Sequence, residues 1–127
     1  MGSGRVGVDL VPFARVREML ARDDGLLMAR MLTEAERALC SPGRSPDIAG
    51  IAGRLAAKEA VFKLFHSSRE TLPWQGIEVL KGPGGWPEVR LSGRAAELAE
   101  AALIGRIEIS IAHDEPCAIA VACAARP

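Results

Sequence analysis

The chain has no tyrosine, only three phenylalanines and two tryptophans, so aromatics make up 4% of it. Its core must then be assembled from Ala, Leu, Val and Ile. Cysteine is scarce and odd in number: Cys40, Cys117 and Cys123. Their spacing fits neither a zinc site nor a redox CxxC motif, and the expectation is three reduced, buried thiols in a cytoplasmic protein. Excess charge is missing too, with 16 basic residues against 16 acidic. That balance argues against a general nucleic-acid binder, which carries a basic surplus. No apolar run approaches the roughly 20 residues of a membrane span. The N-terminus also lacks the charged-then-apolar plan of a signal peptide.

What is present describes an ordinary globular protein of 127 residues, 49% hydrophobic and 25% charged. One compact domain is expected over residues 5–126. Met1-Gly2-Ser3-Gly4 reads as a cloning remnant or flexible lead-in. Although net charge is zero, Arg5, Arg15, Arg17, Arg22 and Arg30 crowd the first quarter, a local basic bias suited to an acidic partner.

The apolar run Arg5–Leu10 predicts a strand. Pro12 suits the first turn of a helix reaching Arg22, which Asp23-Asp24-Gly25 breaks. A short helix follows over Leu26–Met31. Thr33-Glu34-Ala35-Glu36 is a capping box that opens another helix, ending near Cys40. Ser41–Pro46 is a loop by composition. The longest helix runs from Asp47, its cap, to about His66. Trp74–Lys81 and Pro87–Leu91 predict a hairpin around Gly82–Gly85. A helix over Ser92–Leu103, opened by a second capping box and closed by Gly105, precedes strands Arg106–His113 and Cys117–Ala124. The fold class is α+β, an antiparallel sheet with segregated helices, written in order as β-ααα-ββ-α-ββ.

Two segments set charge in apolar surroundings. Val6-Gly7-Val8-Asp9-Leu10 reads as a buried strand ending in a carboxylate. The second is Arg54–Lys63: along its helix apolar Ile51, Leu55, Phe62 and Phe65 follow helical steps, with Lys58 on the same stripe and Glu59 and Lys63 four apart beside it. The bland reading is a solvated Glu–Lys pair, a snorkelling Lys58 and an Asp9 that caps a turn. The functional reading brings Asp9 and Glu59 together as hard oxygen ligands for Mg²⁺ and a phosphate.

Taken together, the segments resemble the holo-acyl-carrier-protein synthase type of 4′-phosphopantetheinyl transferase. Gly7, Asp9 and Arg15 match its first motif. Lys58, Glu59, Ala60 and Lys63 match its second, Lys-Glu-Ala-x-x-Lys, and Ser110-Ile111-Ala112-His113-Asp114 follows in order. The resemblance spans about Val6 to Ala124. It implies transfer of 4′-phosphopantetheine from coenzyme A to a serine of an apo acyl carrier protein of fatty-acid or polyketide synthesis, releasing adenosine 3′,5′-bisphosphate. It implies that Asp9 and Glu59 hold Mg²⁺, with Glu59 or a water near it as base. Lys63 would stabilise the leaving phosphate, with Asp9, Glu59 and Lys63 forming the catalytic set. Arg54, Lys58, Lys63, Ser67 and His113 would bind coenzyme A, and Arg15, Arg17 and Arg22 the carrier protein. A homotrimer with active sites between subunits is implied as well.

The chain departs from the pattern at four places. Leu55 replaces an aromatic, His66-Ser67-Ser68-Arg69 replaces a Gly-Thr-Gly-like loop, Trp86 replaces a basic residue, and Ala112 replaces a serine. Two rival readings remain: a non-catalytic module that binds carrier protein or coenzyme A, and a Mg²⁺-dependent phosphohydrolase on the same ligands.

Overall fold

A computed structural model describes residues 4–22, 25–41, 43 and 45–125. Met1–Ser3 of the expected lead-in, Asp23 and Asp24 of the helix break, Pro42 and Arg44 of the loop, and Arg126 of the expected domain lie outside these. The elements are β1 (Arg5–Pro12), α1 (Phe13–Ala21), α2 (Leu26–Met31), α3 (Glu34–Cys40), α4 (Ile48–Leu64), β2 (Ile77–Lys81), β3 (Pro87–Leu91), α5 (Gly93–Ala101), β4 (Ile107–Asp114) and β5 (Cys117–Ala124). Among the described residues four helices precede β2, at the four predicted segments, where the order β-ααα-ββ-α-ββ counts three. Leu26–Met31 stands as a helix of its own because Gly25, in the left-handed conformation, turns the chain before it.

The strands form two antiparallel sheets rather than one: β1-β5-β4 and the hairpin β2-β3. β1 runs two residues past the expected end, because Val11 and Pro12 still pair with Ala118 and Cys117. β2 starts later than expected. Pro73 and Gly76 close a short 3₁₀ turn over Trp74–Gly76, with the Gly76 N–H on the Pro73 carbonyl at 2.9 Å. Thr33 and Glu36 make the reciprocal capping box on α3. Asp47 caps α4 by accepting from the Gly50 N–H at 2.9 Å. Ser92 stands at the start of α5 without a side-chain cap bond, so no second capping box forms. Leu103 rather than Gly105 turns the chain out of α5, with φ +56 and its N–H on the Glu100 carbonyl at 3.0 Å.

Helix α4 is the axis of the molecule. Ile51, Leu55, Ala56, Lys58, Val61 and Leu64 are all buried, so its apolar surface surrounds most of the helix instead of forming one stripe. The three-stranded sheet offers it a face of small residues. Ala118, Ala120, Ala122 and Ala124 alternate inward along β5 and are buried. Cys117 and Cys123 fall on the opposite face by the same two-residue period. Only Cys40 of the three free thiols is therefore buried; Cys117 is half-buried and Cys123 exposed, against the expectation of three buried ones. The opposite face of the sheet carries Val6, Val8, Leu10 and Ile119, all exposed, so β1 is covered on one face only and not buried throughout as expected.

Gly7 marks the closest approach of β1 to α4. A Cβ there would lie 2.1 Å from the Ala60 carbonyl oxygen, which is rigid helix backbone. Replacing Gly7 with Ala should therefore push β1 off the helix and destabilise the fold by about 3 kcal/mol, the upper range for overpacking. Thermal denaturation of G7A checks this, and a melting temperature equal to wild type would overturn it.

Candidate active site

Asp9 projects inward from β1, between Gly7 and Val11, and meets the second half of α4. Its side chain is 15% exposed. One carboxylate oxygen accepts from Lys63 Nζ at 3.1 Å; the other, Oδ2, is buried without a hydrogen-bond partner. Lys63 also donates to the Val8 carbonyl at 2.8 Å. Glu59, one turn before Lys63, faces Asp9. Partial burial, first, and then the adjacent Asp9 carboxylate raise the Glu59 pKa to about 7, opposed by the positive charges of Arg15 and Lys63. The recorded ion pair of Lys63 is thus to Asp9 across elements, not the local Glu59 pair of the bland reading.

An orphaned, buried carboxylate oxygen beside a second carboxylate is costly unless a proton or a cation lies between them. Among the described residues no group of three or more His, Cys, Asp or Glu side chains could enclose a metal. Two carboxylates with open positions suit Mg²⁺, which keeps water and takes substrate phosphates as its remaining ligands. The residues present fit such an ion.

Lys58 occupies a different environment from the one expected. It is neither snorkelling nor available to a phosphate. Its side chain is fully buried, and its three protons go to Glu36 Oε1 at 2.8 Å and to the Trp74 and Ile77 carbonyls, both at 2.6 Å. Burial pulls its pKa down and Glu36 opposes this. The reason is helical rotation: Lys58 lies about 100° from Glu59. It faces α3 and β2, where Glu59 faces β1.

The other expected residues fall into three neighbourhoods. Arg54 and His113 line a cavity of about 330 Å³ together with Asp47 and Lys81. Arg54 is anchored there through Nε to the Val79 carbonyl at 3.1 Å. Ser67 borders a groove of about 340 Å³ with Phe62, Lys63, His66 and Ser68, adjacent to the carboxylates. His66 itself takes φ +50, so the loop turns in the left-handed region without the glycine of the family pattern. Arg15, Glu18 and Arg22 rim a third groove, of about 480 Å³, floored by Met19, Leu27, Met31 and Trp74.

Arg17 does not join that groove. It lies about 200° around α1 from Arg15 and pairs with Glu115 at 3.2 Å. Arg30 completes the rim instead. It belonged to the basic bias of the sequence, but only the placement of α2 shows that it faces Arg15. Arg5 also leaves the basic patch, donating to the Leu64 carbonyl at 2.7 Å at the end of α4. Lys81 and Trp74 carried no sequence signal of a site, and Asp47 only that of a helix cap; Lys81 and Asp47 join the cavity between α4 and β2, and Trp74 the groove beside α1 and α2.

Residues 5–120 match the profile of the 4′-phosphopantetheinyl transferase superfamily. The chain belongs to this superfamily. It is 39% identical over 122 residues to a holo-(acyl-carrier-protein) synthase of Desulforudis audaxviator, covering 96% of this chain and 92% of that one. It is 40% identical over 118 residues to one of Chlorobaculum parvum, covering 92% and 94%. The crystal structure of the Helicobacter pylori holo-(acyl-carrier-protein) synthase in complex with coenzyme A superposes with a TM-score of 0.81 at 30% identity, covering 95% of this chain and 100% of that one.

The raised Glu59 pKa has a sign that can be tested. In metal-free protein its contribution to stability is full below about pH 4.5 and is lost as pH rises through about 7. Relative to E59Q, chelated wild type should lose about 1–2 kcal/mol across that window, after discounting for solvent at this half-exposed group. Denaturation in chelator at pH 5 and pH 8 measures it, and parallel profiles for the two proteins would sink the idea.

Proposed function

We propose that this chain transfers 4′-phosphopantetheine from coenzyme A to a serine of an apo acyl carrier protein and releases adenosine 3′,5′-bisphosphate. The observation that carries the reading is the carboxylate pair of Asp9 and Glu59, with the buried, unpartnered Asp9 Oδ2 and with Lys63 and Arg15 beside it. Family membership and the coenzyme A bound by the Helicobacter relative support it.

Asp9 and Glu59 would hold Mg²⁺, which when bound offsets pyrophosphate charge and polarises the phosphorus. The serine hydroxyl attacks the phosphorus that bears the pantetheine arm. A serine O–P bond forms, the P–O bond to adenosine 3′,5′-bisphosphate breaks, and the serine proton passes to Glu59. Lys63 is exposed enough to turn from Asp9 to the departing phosphate. Ser67, in the groove adjoining Lys63, contacts the same molecule. Arg54 and His113, with Lys81, supply positive and hydrogen-bonding groups for the nucleotide end. Lys58 has no part in this contact.

The groove rimmed by Arg15, Arg22 and Arg30 suits an acidic carrier protein, with Met19, Leu27, Met31 and Trp74 offering an apolar floor for its side chains. The exposed apolar face of the β1-β5-β4 sheet supports a homotrimer. Val6 is 67% exposed and Val8 and Leu10 are each 49% exposed, a patch a monomer leaves wet. One subunit supplies Asp9 and Glu59, and its neighbour completes the nucleotide pocket.

Intact-mass analysis of an apo acyl carrier protein incubated with this chain, coenzyme A and Mg²⁺ tests the reaction. A gain of about 340 Da that disappears with chelator and in E59Q is expected. Free phosphopantetheine without carrier protein would indicate a phosphohydrolase instead, and no product at all a binding module. Light scattering of the eluting protein should give the mass of three chains; a monomeric mass would remove the trimer.

A further inference from the structure

The Lys58–Glu36 pair sits outside the reacting centre, yet its bonds lead to the wall of the arginine-rimmed groove. Lys58 Nζ holds the carbonyls of Trp74 and Ile77, the residues on either side of the Gln75-Gly76 turn. Glu36 accepts from the Thr33 N–H and from the Val79 N–H, each at 2.8 Å. Thr33 Oγ1 donates in turn to Glu78 at 2.6 Å. Next to Trp74, Gln75 Nε2 donates to the Ala29 carbonyl of α2 at 2.7 Å and to the Leu32 carbonyl at 3.5 Å. Trp74 and α2 (through Arg30 and Met31) are the far wall of the groove; Arg15 and Met19 on α1 are the near wall.

The path is therefore continuous: α4 carries Lys58, Lys58 holds the Trp74 turn, and that turn holds α2. The pair is fully satisfied. Every proton of Lys58 is donated, and both oxygens of Glu36 accept. A buried ion pair contributes little net stability compared with an apolar replacement, and what this one supplies is fixed geometry at each of its bonds. Glu59 follows Lys58 directly in the chain, and that geometry relates the groove to the carboxylates.

We propose that Lys58 and Glu36 are positioning residues for the carrier protein. Through the Trp74 turn they set the distance of the Trp74–α2 wall from Glu59, so that a docked serine meets the carboxylates. This rests on the carrier-protein reading of the groove. Lys58 acts from inside the core and touches neither coenzyme A nor the reacting atoms.

The test measures the KM for apo carrier protein and for coenzyme A separately in wild type, K58M, E36Q, the double variant and Q75A. Expected are rises of about tenfold in the carrier-protein KM, with the coenzyme A KM within about twofold of wild type. K58M and E36Q should not add in the double variant. A direct phosphate contact would instead raise the coenzyme A KM in K58M and leave Q75A normal, and that result overturns the proposal. Gln75 is exposed, so Q75A folds even where the core variants do not, and it then decides alone. A second readout needs no turnover. In a W86F background, Trp74 fluorescence should be more readily quenched by acrylamide in Q75A; unchanged quenching overturns the strut. If wild type transfers nothing, the reaction reading fails while this fluorescence result still judges the strut.

Discussion

The close contact of β1 with α4 is the constraint on which the rest depends. A strand bearing ordinary side chains packs roughly 10 Å from the layer it covers. Here Gly7 faces the Ala60 carbonyl with no room for a methyl group, and the alanines of β5 continue the same small-residue face. The short side chain of Asp9 can meet a side chain of the helix only because the backbones come this near. The scarcity of aromatics is part of the same solution: bulky rings on the inner face of the sheet would separate the two carboxylates.

That proximity places like charges in a partly desolvated setting. Burial and the neighbouring Asp9 hold Glu59 near pH 7, while Lys63 and Arg15 pull the other way. The site is thus electrostatically incomplete as a protein alone. A proton shared between Asp9 and Glu59 relieves this, and a hard cation such as the proposed Mg²⁺ would relieve it while leaving positions for phosphate and water. Lys58, a single residue away, is complete by the same criteria, with every donor matched. The contrast between a satisfied buried pair and an unsatisfied one separates scaffold from chemistry on one helix.

The sequence carried most of the secondary-structure elements well, because they depend on local pattern, whereas the meeting of Asp9 and Glu59, fifty residues apart, was implied only by the family resemblance. The strand run, the capping box at Thr33 and Glu36 and the cap at Asp47 are signals within a few residues. What it hid are properties of three-dimensional direction. Lys58 and Lys63 look equivalent in Lys-Glu-Ala-x-x-Lys. Spacing set Lys58 on the apolar stripe and Lys63 beside it, but not that Lys58 stays inside instead of snorkelling; their partners, Glu36 and Asp9, come from α3 and β1. Arg17 and Arg30 show the same limit. Adjacency in a basic stretch grouped Arg17 with Arg15, while helical rotation separates them and the placement of α2 brings Arg30 in. The two small sheets escaped notice because antiparallel hairpins read alike whether or not they join.

In the proposed reaction, helix α4 also accounts for how one short chain could serve two substrates of different character. Arg54 and Lys58, four apart and so about 40° from each other, both turn toward α3 and β2, whereas Glu59, about 100° on from Lys58, turns to β1. Arg54 reaches the cavity on the β2 side, and Lys58 the Trp74 turn. A nucleotide end, a carrier-protein groove and a reacting centre can thus be registered to one rigid body instead of to separate loops. Such registry matters more than any single contact, because displacing a reactant by about 1 Å costs far more rate than a lost surface hydrogen bond. The buried length of α4, unusually apolar for a helix that carries chemistry, is what makes that rigidity available.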